Sequence, residues 1–184
     1  MKKYELVDEA LLATGPDAVW EALLGELAGQ ARWWVPDNTF EPVAGAPDRV
    51  GALTRVTVHT KGVDRGGKKL RFTARTTAVQ RAERLALEYV EGAFRGTAEF
   101  TLTPLEGGGT RLAMSFRAVP QGQLAFLARL VDVGAMHTRA TRAAFGRLDR
   151  LLTATAPAAP AAPAASTAPA APAAPAAPAA GGSR

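Results

Sequence analysis

The chain has 184 residues, a formal net charge of +5 from 22 Lys and Arg against 17 Asp and Glu, and no cysteine. This length suits one domain, the scattered positive excess argues against nucleic-acid binding, and the lack of cysteine excludes disulfides, thiolate catalysis and cysteine-ligated metals. Nothing near the start resembles a signal peptide and no apolar run is long enough to span a membrane, so we expect a cytoplasmic protein without an integral membrane segment.

The first fifty residues predict a strand followed by two short helices. Tyr4 to Thr14 alternates loosely as a first strand, and Pro16 suits the first turn of a helix. That helix is expected to break or restart near Gly25 or Gly29. It should end before Trp33-Trp34-Val35-Pro36, because the residue before a proline avoids helical backbone. A short strand near residues 40–43 completes this region.

Residues 50–119 predict consecutive β-strands, because apolar or small residues alternate with charged residues or threonine. In the clearest case Leu70, Phe72, Ala74, Thr76 and Ala78 oppose Arg71, Thr73, Arg75 and Thr77. The same pattern occurs over residues 50–59, where His59 falls on the charged face, and over residues 85–89, 94–102 and 111–117. One wet and one dry face per strand is typical of an antiparallel meander.

Gln121 to Leu152 predicts one long helix with an inward stripe at the helical period. Arginines such as Arg139, Arg147 and Arg150 are expected to point mostly outward. The stripe is bulky at its ends and small in its middle, and comprises Leu127, Val131, Gly134, Thr138, Thr141, Phe145, Leu148 and Leu152. Glycine costs about 1 kcal/mol relative to Ala inside a helix. The presence of Gly134 in the middle of the helix therefore indicates either close packing on the sheet or a cavity.

The last residues differ in composition from the rest of the chain. From Ala154 to Ala180 the sequence mostly repeats Ala-Ala-Pro and contains no large apolar side chain. Such a segment cannot bury enough apolar surface to fold. We therefore expect a domain over residues 1–153 and a disordered, extended tail over residues 154–184.

Few residues indicate a reaction. The segment Gly62 to Lys69 is similar to a phosphate-binding loop, but Lys69 stands where a hydroxyl must ligate magnesium. No G-x-S-x-G is present, and His59 and His137 have no neighbouring carboxylates at metal-ligand spacing, so we expect no metal and no cofactor. Tyr89 and His137 are the candidates that remain for catalysis.

Four segments resemble those of a known superfamily: Ala13 to Trp20 with its Val-Trp pair, Trp33-Trp34, Val50-Gly51 and Gly108 to Leu112. Together with the order of elements, they make residues 1–152 similar to the helix-grip fold of the START-like (SRPBCC) superfamily, which includes polyketide cyclase-like and lipid-transfer proteins. The resemblance implies an α+β fold in which a curved antiparallel sheet of about six to seven strands wraps around a long C-terminal helix. It also implies a ligand cavity between sheet and helix.

We therefore expect the chain to bind a small apolar molecule such as a lipid, a polyketide or another apolar metabolite, oriented by Tyr89, Thr138 and Thr141. Two alternatives stay open: a cyclase or dehydratase enzyme in which Tyr89 or His137 moves protons, and a non-catalytic interaction module with a solid core. The residues expected to bind the ligand are Trp34, Phe72, Thr76, Leu87, Tyr89, Ala98, Phe100, Met114, Gly134, Thr138 and Thr141.

Overall fold

The computed structural model describes residues 3–128 and 130–155. The predicted tail lies almost entirely outside these residues. The elements in chain order are β1 (Tyr4–Leu12), α1 (Pro16–Leu27), β2 (Asn38–Ala44), β3 (Leu53–His59), β4 (Lys69–Gln80), β5 (Arg84–Gly92), β6 (Phe94–Pro104), β7 (Thr110–Pro120), α2 (Gly122–Leu127) and α3 (Val133–Thr155).

The seven strands form one antiparallel sheet in the order β1-β7-β6-β5-β4-β3-β2. Strands β2 to β7 lie side by side in chain order. β1 pairs with β7 at the opposite edge of the sheet from β2, with Asp8 opposite Met114. Register shifts between β2 and β3 and at two places between β4 and β5 bend the sheet. The expected α+β fold, a curved antiparallel sheet with a long C-terminal helix, is confirmed.

Glycine permits a close approach between strands β6 and β7. Gly96 in β6 has a φ of +139°, and a β carbon there would overlap the carbonyl oxygen of Arg117 in β7. Only glycine combines this backbone conformation with the missing side chain. The small residue at position 96 therefore serves the contact between β6 and β7.

Two details of the helices differ from the prediction. One helix, α1, replaces the two short helices expected after β1, and turns occupy most of the segment between Leu27 and β2. The single helix expected from Gln121 is interrupted between α2 and α3. Asp132 explains the restart, because its carboxylate accepts a hydrogen bond from the backbone N–H of Ala135 at 3.0 Å and so caps α3.

The core lies between the inner face of the sheet and the two longer helices. α1 buries Val19, Trp20 and Leu23, and α3 buries Phe145 and Leu148. Gly134 is packed closely, since a β carbon there would lie 3.4 Å from the ring of Tyr4 in β1. Among the described residues no helix is long and apolar enough to cross a membrane.

Candidate functional site

A cavity of about 660 Å³ lies between the inner face of the sheet and α3. If it were empty and enclosed, it would cost roughly 16 kcal/mol at about 24 cal/mol per Å³, more than the total stability of most domains. A cavity of this size is therefore more stable filled by solvent or a ligand than empty. Its apolar wall comprises Leu27, Trp34, Phe40, Val56, Val58, Leu70, Phe72, Leu87, Tyr89, Phe94, Phe100, Met114, Phe116 and Leu124.

Four aromatic rings of the sheet form a closed cluster in this wall. Phe72 contacts Tyr89 and Phe94 with ring centroids 4.8 and 5.4 Å apart. Phe116 contacts the same two rings, at 5.9 Å from Tyr89 and 5.6 Å from Phe94. Each ring therefore restrains two others, and the sheet presents a preformed aromatic surface to the cavity.

The mouth of the cavity is formed by exposed side chains from two segments. Lys68 comes from the connection between β3 and β4, while Val131, Met136 and Arg139 come from the start of α3 and the residues before it.

His59, expected on the solvated face, is half-buried in the cavity wall, and its Nε2 atom lies 3.0 Å from Thr39 Oγ1. At the end of β3, buried and exposed side chains no longer alternate, since Thr57, Val58 and His59 are all half-buried. The alternating pattern therefore could not predict the position of His59.

The turn that carries Trp34 is fixed by a buried carboxylate of α1. Glu26 Oε2 accepts a hydrogen bond from the backbone N–H of Trp33 at 2.6 Å, and Oε1 accepts one from Trp34 at 3.0 Å. Glu26 is 2% exposed, and this burial raises the pKa of its carboxyl, while the two N–H groups partly offset the effect.

Arg147 holds the same turn from the opposite side. Its Nε donates to the Trp33 carbonyl at 2.8 Å, and its Nη2 lies 2.9 Å from Asp37 Oδ2. The prediction that Arg147 points mostly outward was therefore wrong. Its guanidinium is held inward because the carbonyls of the turn need donors.

The indole N–H groups of this turn are bonded within the protein. Trp33 Nε1 donates to the carbonyl of Ala22 at 3.0 Å. With the Asn38 amide oriented so that its oxygen faces Trp34, that oxygen accepts from Trp34 Nε1 at 3.0 Å. Trp34 therefore offers the cavity a ring surface, not a free donor.

His137 is a polar residue on α3 that lines the cavity. Its ring stacks on Phe116 with centroids 4.1 Å apart, and its Nδ1 lies 3.4 Å from Thr141 Oγ1 and 3.7 Å from Asp8 Oδ2. Burial lowers the pKa of His137 to about 4, and the Asp8 carboxylate only partly offsets this effect. His137 is therefore neutral near pH 7.

Tyr89 brings a phenol to the same cavity. Burial raises its pKa, so the hydroxyl keeps its proton at neutral pH. Within residues 3–128 and 130–155 this hydroxyl has no hydrogen-bond partner. Tyr89 can thus donate a hydrogen bond to a molecule in the cavity.

Seven of the eleven residues expected to bind a ligand lie in the cavity wall: Trp34, Phe72, Leu87, Tyr89, Phe100, Met114 and Thr141. The other four do not. Thr76 donates to the carbonyl of Pro47, Gly134 packs on Tyr4, and Ala98 and Thr138 lie outside the wall. α3 buries Gly134, Thr141, Phe145 and Leu148 of the predicted stripe, but the cavity is lined from one edge of this face, by Val133, Met136, His137, Ala140, Thr141, Ala143 and Arg147.

Two buried carboxylates were missed by the sequence reasoning. Asp8 lies on the inward stripe of β1 with Tyr4 and Leu12, and Glu26 lies on the buried face of α1 beside Leu23. A carboxylate at an apolar position of a periodic pattern was the available signal, because a buried charge requires specific partners. In the described ranges no three His, Cys, Asp or Glu side chains are grouped to hold a metal ion.

Residues 5–153 match the model of a family described as polyketide cyclase / dehydrase and lipid transport. This match confirms the superfamily resemblance that the sequence indicated. No curated protein sequence matches the chain significantly.

Solved structures agree with the family match. An aromatase/cyclase from a Streptomyces species is 18% identical, with a TM-score of 0.65 over 83% of this chain and 94% of that one. A Thermus thermophilus protein is 18% identical, with a TM-score of 0.64 over 82% and 98%. A major latex-like protein from Panax ginseng is 10% identical, with a TM-score of 0.58 over 81% and 97%. These likenesses show the fold.

Proposed function

We propose that this chain, which belongs to the polyketide cyclase / dehydrase and lipid transport family, binds a small, mostly apolar molecule in the cavity between its sheet and α3. The cavity itself carries the proposal: it measures about 660 Å³ and is lined mainly by aromatic and aliphatic side chains. Small-molecule sites typically measure roughly 300–1,000 Å³ and have such a lining. Tyr89, His137 and Thr141 are the polar groups that would orient the molecule.

The proposal is tested by filling the cavity from α3. Ala140 is half-buried and lines the cavity, whereas Ala154 is exposed on the same helix and lies outside the wall. Titration with the neutral fluorophore N-phenyl-1-naphthylamine should give saturable, stoichiometric binding to the wild type and to A154F. A140F should bind it at least tenfold more weakly. Equal affinities of A140F and A154F would contradict binding in this cavity.

A second experiment identifies the natural ligand. Native mass spectrometry of gently purified protein should show a stoichiometric adduct, and solvent extraction would release it for identification. A140F should carry less of the adduct than A154F. An adduct retained equally by the two variants would place the bound molecule outside the cavity.

The second candidate function is an enzyme of the cyclase or dehydratase type. The pair of His137 and Asp8, together with the Tyr89 hydroxyl in the same cavity, favours it, because proton transfer requires such groups near the substrate. If this is right, Y89F or H137F should lower turnover with little change in substrate affinity. A parallel loss of affinity and rate would instead indicate a binding role.

The third alternative, an interaction module with a solid core, is disfavoured by the volume of the cavity. A cytoplasmic location, which the sequence led us to expect, stays a prediction. So does the absence of a nucleic-acid partner, and no protein partner is proposed.

A further inference from the structure

The ring of His137 is held on two sides. Phe116 stacks against its face with centroids 4.1 Å apart and an angle of 29° between the planes. At one edge, Nδ1 lies 3.4 Å from Thr141 Oγ1 and 3.7 Å from Asp8 Oδ2. Because the neighbours of Nδ1 belong to the protein, the opposite edge with Nε2 is the one left for the cavity that His137 lines.

Asp8 determines which ring nitrogen is best placed to carry the proton. It is 1% exposed, and its Oδ1 accepts a hydrogen bond from Arg142 Nε at 3.1 Å. Its Oδ2 is buried without a hydrogen-bond partner in the described part of the chain. An ionised carboxylate only accepts hydrogen bonds, so the adjacent His137 Nδ1 is stabilised as an N–H donor.

A neutral imidazole has one N–H and one lone pair, so a proton on Nδ1 leaves the lone pair on Nε2. No hydrogen-bond partner for Nε2 is found within residues 3–128 and 130–155. The low pKa of His137 agrees with this neutral state. The cavity wall thus offers an acceptor for which the protein supplies no donor.

We propose that His137 Nε2 accepts a hydrogen bond from the ligand, and that the ligand is therefore an apolar molecule carrying a hydrogen-bond donor, such as the hydroxyl of an alcohol or a phenol. This inference rests on the proposed function. Asp8 acts as a positioning residue, since it holds the proton on Nδ1 and does not itself line the cavity. A ligand without a donor would leave Nε2 unpaired in an apolar environment, which is unfavourable.

Two probes that differ in the donor test the inference. 2-Naphthol has a hydroxyl group, and 2-methoxynaphthalene has the same ring system and oxygen without the O–H. Hydrophobicity favours the ether, whereas a hydrogen bond to Nε2 should make 2-naphthol bind about fivefold or more tightly. H137F keeps a ring on Phe116 but has no acceptor, so it should lose this preference. T138V, adjacent on α3 but outside the wall, should retain it.

The position of the proton is measured independently by long-range ¹H–¹⁵N correlation NMR. The chain has 2 histidines, so the H137F spectrum assigns the signals of both. The wild type should show His137 protonated at Nδ1. D8N should shift the proton toward Nε2 and reduce the preference for 2-naphthol.

The outcomes separate the inference from the proposed function. Equal affinity of the wild type for both probes, or a wild-type His137 protonated at Nε2, overturns the inference and leaves apolar binding intact. If neither probe nor N-phenyl-1-naphthylamine binds, both are overturned. The wild-type spectrum decides the proton position even if D8N does not fold.

Discussion

Glu26 Oε1 accepts a hydrogen bond from the backbone N–H of Trp34 at 3.0 Å, so a buried carboxylate of α1 determines where a tryptophan of the cavity wall lies. The second oxygen binds the N–H of Trp33 at 2.6 Å. A single ionised side chain thus satisfies two adjacent backbone donors, which is an arrangement that an amide side chain cannot reproduce.

The first prediction concerns E26Q. The glutamine has one acceptor oxygen, and its NH2 group would face the other backbone N–H, so one donor is left unsatisfied. We expect the free energy of unfolding in urea to fall by about 2 kcal/mol. The affinity for N-phenyl-1-naphthylamine should fall as well, because the Trp34 ring is no longer held.

E21Q is the matched control on the same helix. Glu21 is exposed and pairs with Arg81 at the surface, and such pairs contribute about 0–1 kcal/mol. If E26Q and E21Q unfold at the same urea concentration, the carboxylate does not hold the turn.

The second prediction concerns R147K. A lysine ammonium cannot span the carbonyls of Trp33 and Trp34 and the Asp37 carboxylate as the guanidinium does. Urea unfolding should show a loss of about 1–2 kcal/mol. R150K, at an exposed position of α3, should change stability by less than about 0.5 kcal/mol. An R147K as stable as R150K would contradict a role for this contact.

The strand pattern was predictable because alternation reports which face of a strand is buried. β4 shows this well: Phe72, Ala74 and Thr76 are buried, while Arg71 and Arg75 are exposed. The buried face of each strand can be predicted from the sequence of that strand alone, almost independently of its neighbours. The same reasoning identified Phe72, Leu87, Tyr89, Phe100 and Met114, which line the cavity from the sheet.

The α3 side of the site was less predictable, because its orientation depends on tertiary contacts. Periodicity identified an apolar face, but not which edge of that face packs on β1 and which lines the cavity. Gly134 allows close packing on Tyr4, and the cavity lies beside Ala140 and Ala143. The buried Asp8 and its exposed partner Arg142 are 134 positions apart in sequence, so no local pattern connects them.

The third prediction concerns Y89F. The Tyr89 hydroxyl bonds to no residue in the described ranges, so its removal should change the free energy of unfolding by less than about 0.5 kcal/mol. Affinity for 2-acetylnaphthalene, whose carbonyl accepts a hydrogen bond, should fall about fivefold, while 2-ethylnaphthalene should bind unchanged. A large loss of stability would show that the hydroxyl has a structural role instead.

The fourth prediction concerns the pH dependence of stability. Burial lowers the pKa of His137 from 6.5 to about 4, so between these values the unfolded chain binds a proton that the folded protein excludes. Stability due to neutral His137 is therefore fully present above pH 6.5 and is lost as the pH falls toward 4. Between pH 7.5 and pH 5 the free energy of unfolding should fall by about 2 kcal/mol from this residue.

H137F isolates this contribution, because it keeps a ring against Phe116 and cannot titrate. Among the described residues, the charged groups near the ring are Asp8 on β1 and Arg142, which pairs with Asp8 from α3. Both remain in the variant, as does Glu26, whose raised pKa contributes with the opposite sign. Urea unfolding at pH 7.5, 6 and 5 should therefore give a shallower acid loss for H137F than for the wild type. Parallel curves would mean that His137 is not buried as a neutral ring, and would remove the basis for an acceptor at Nε2.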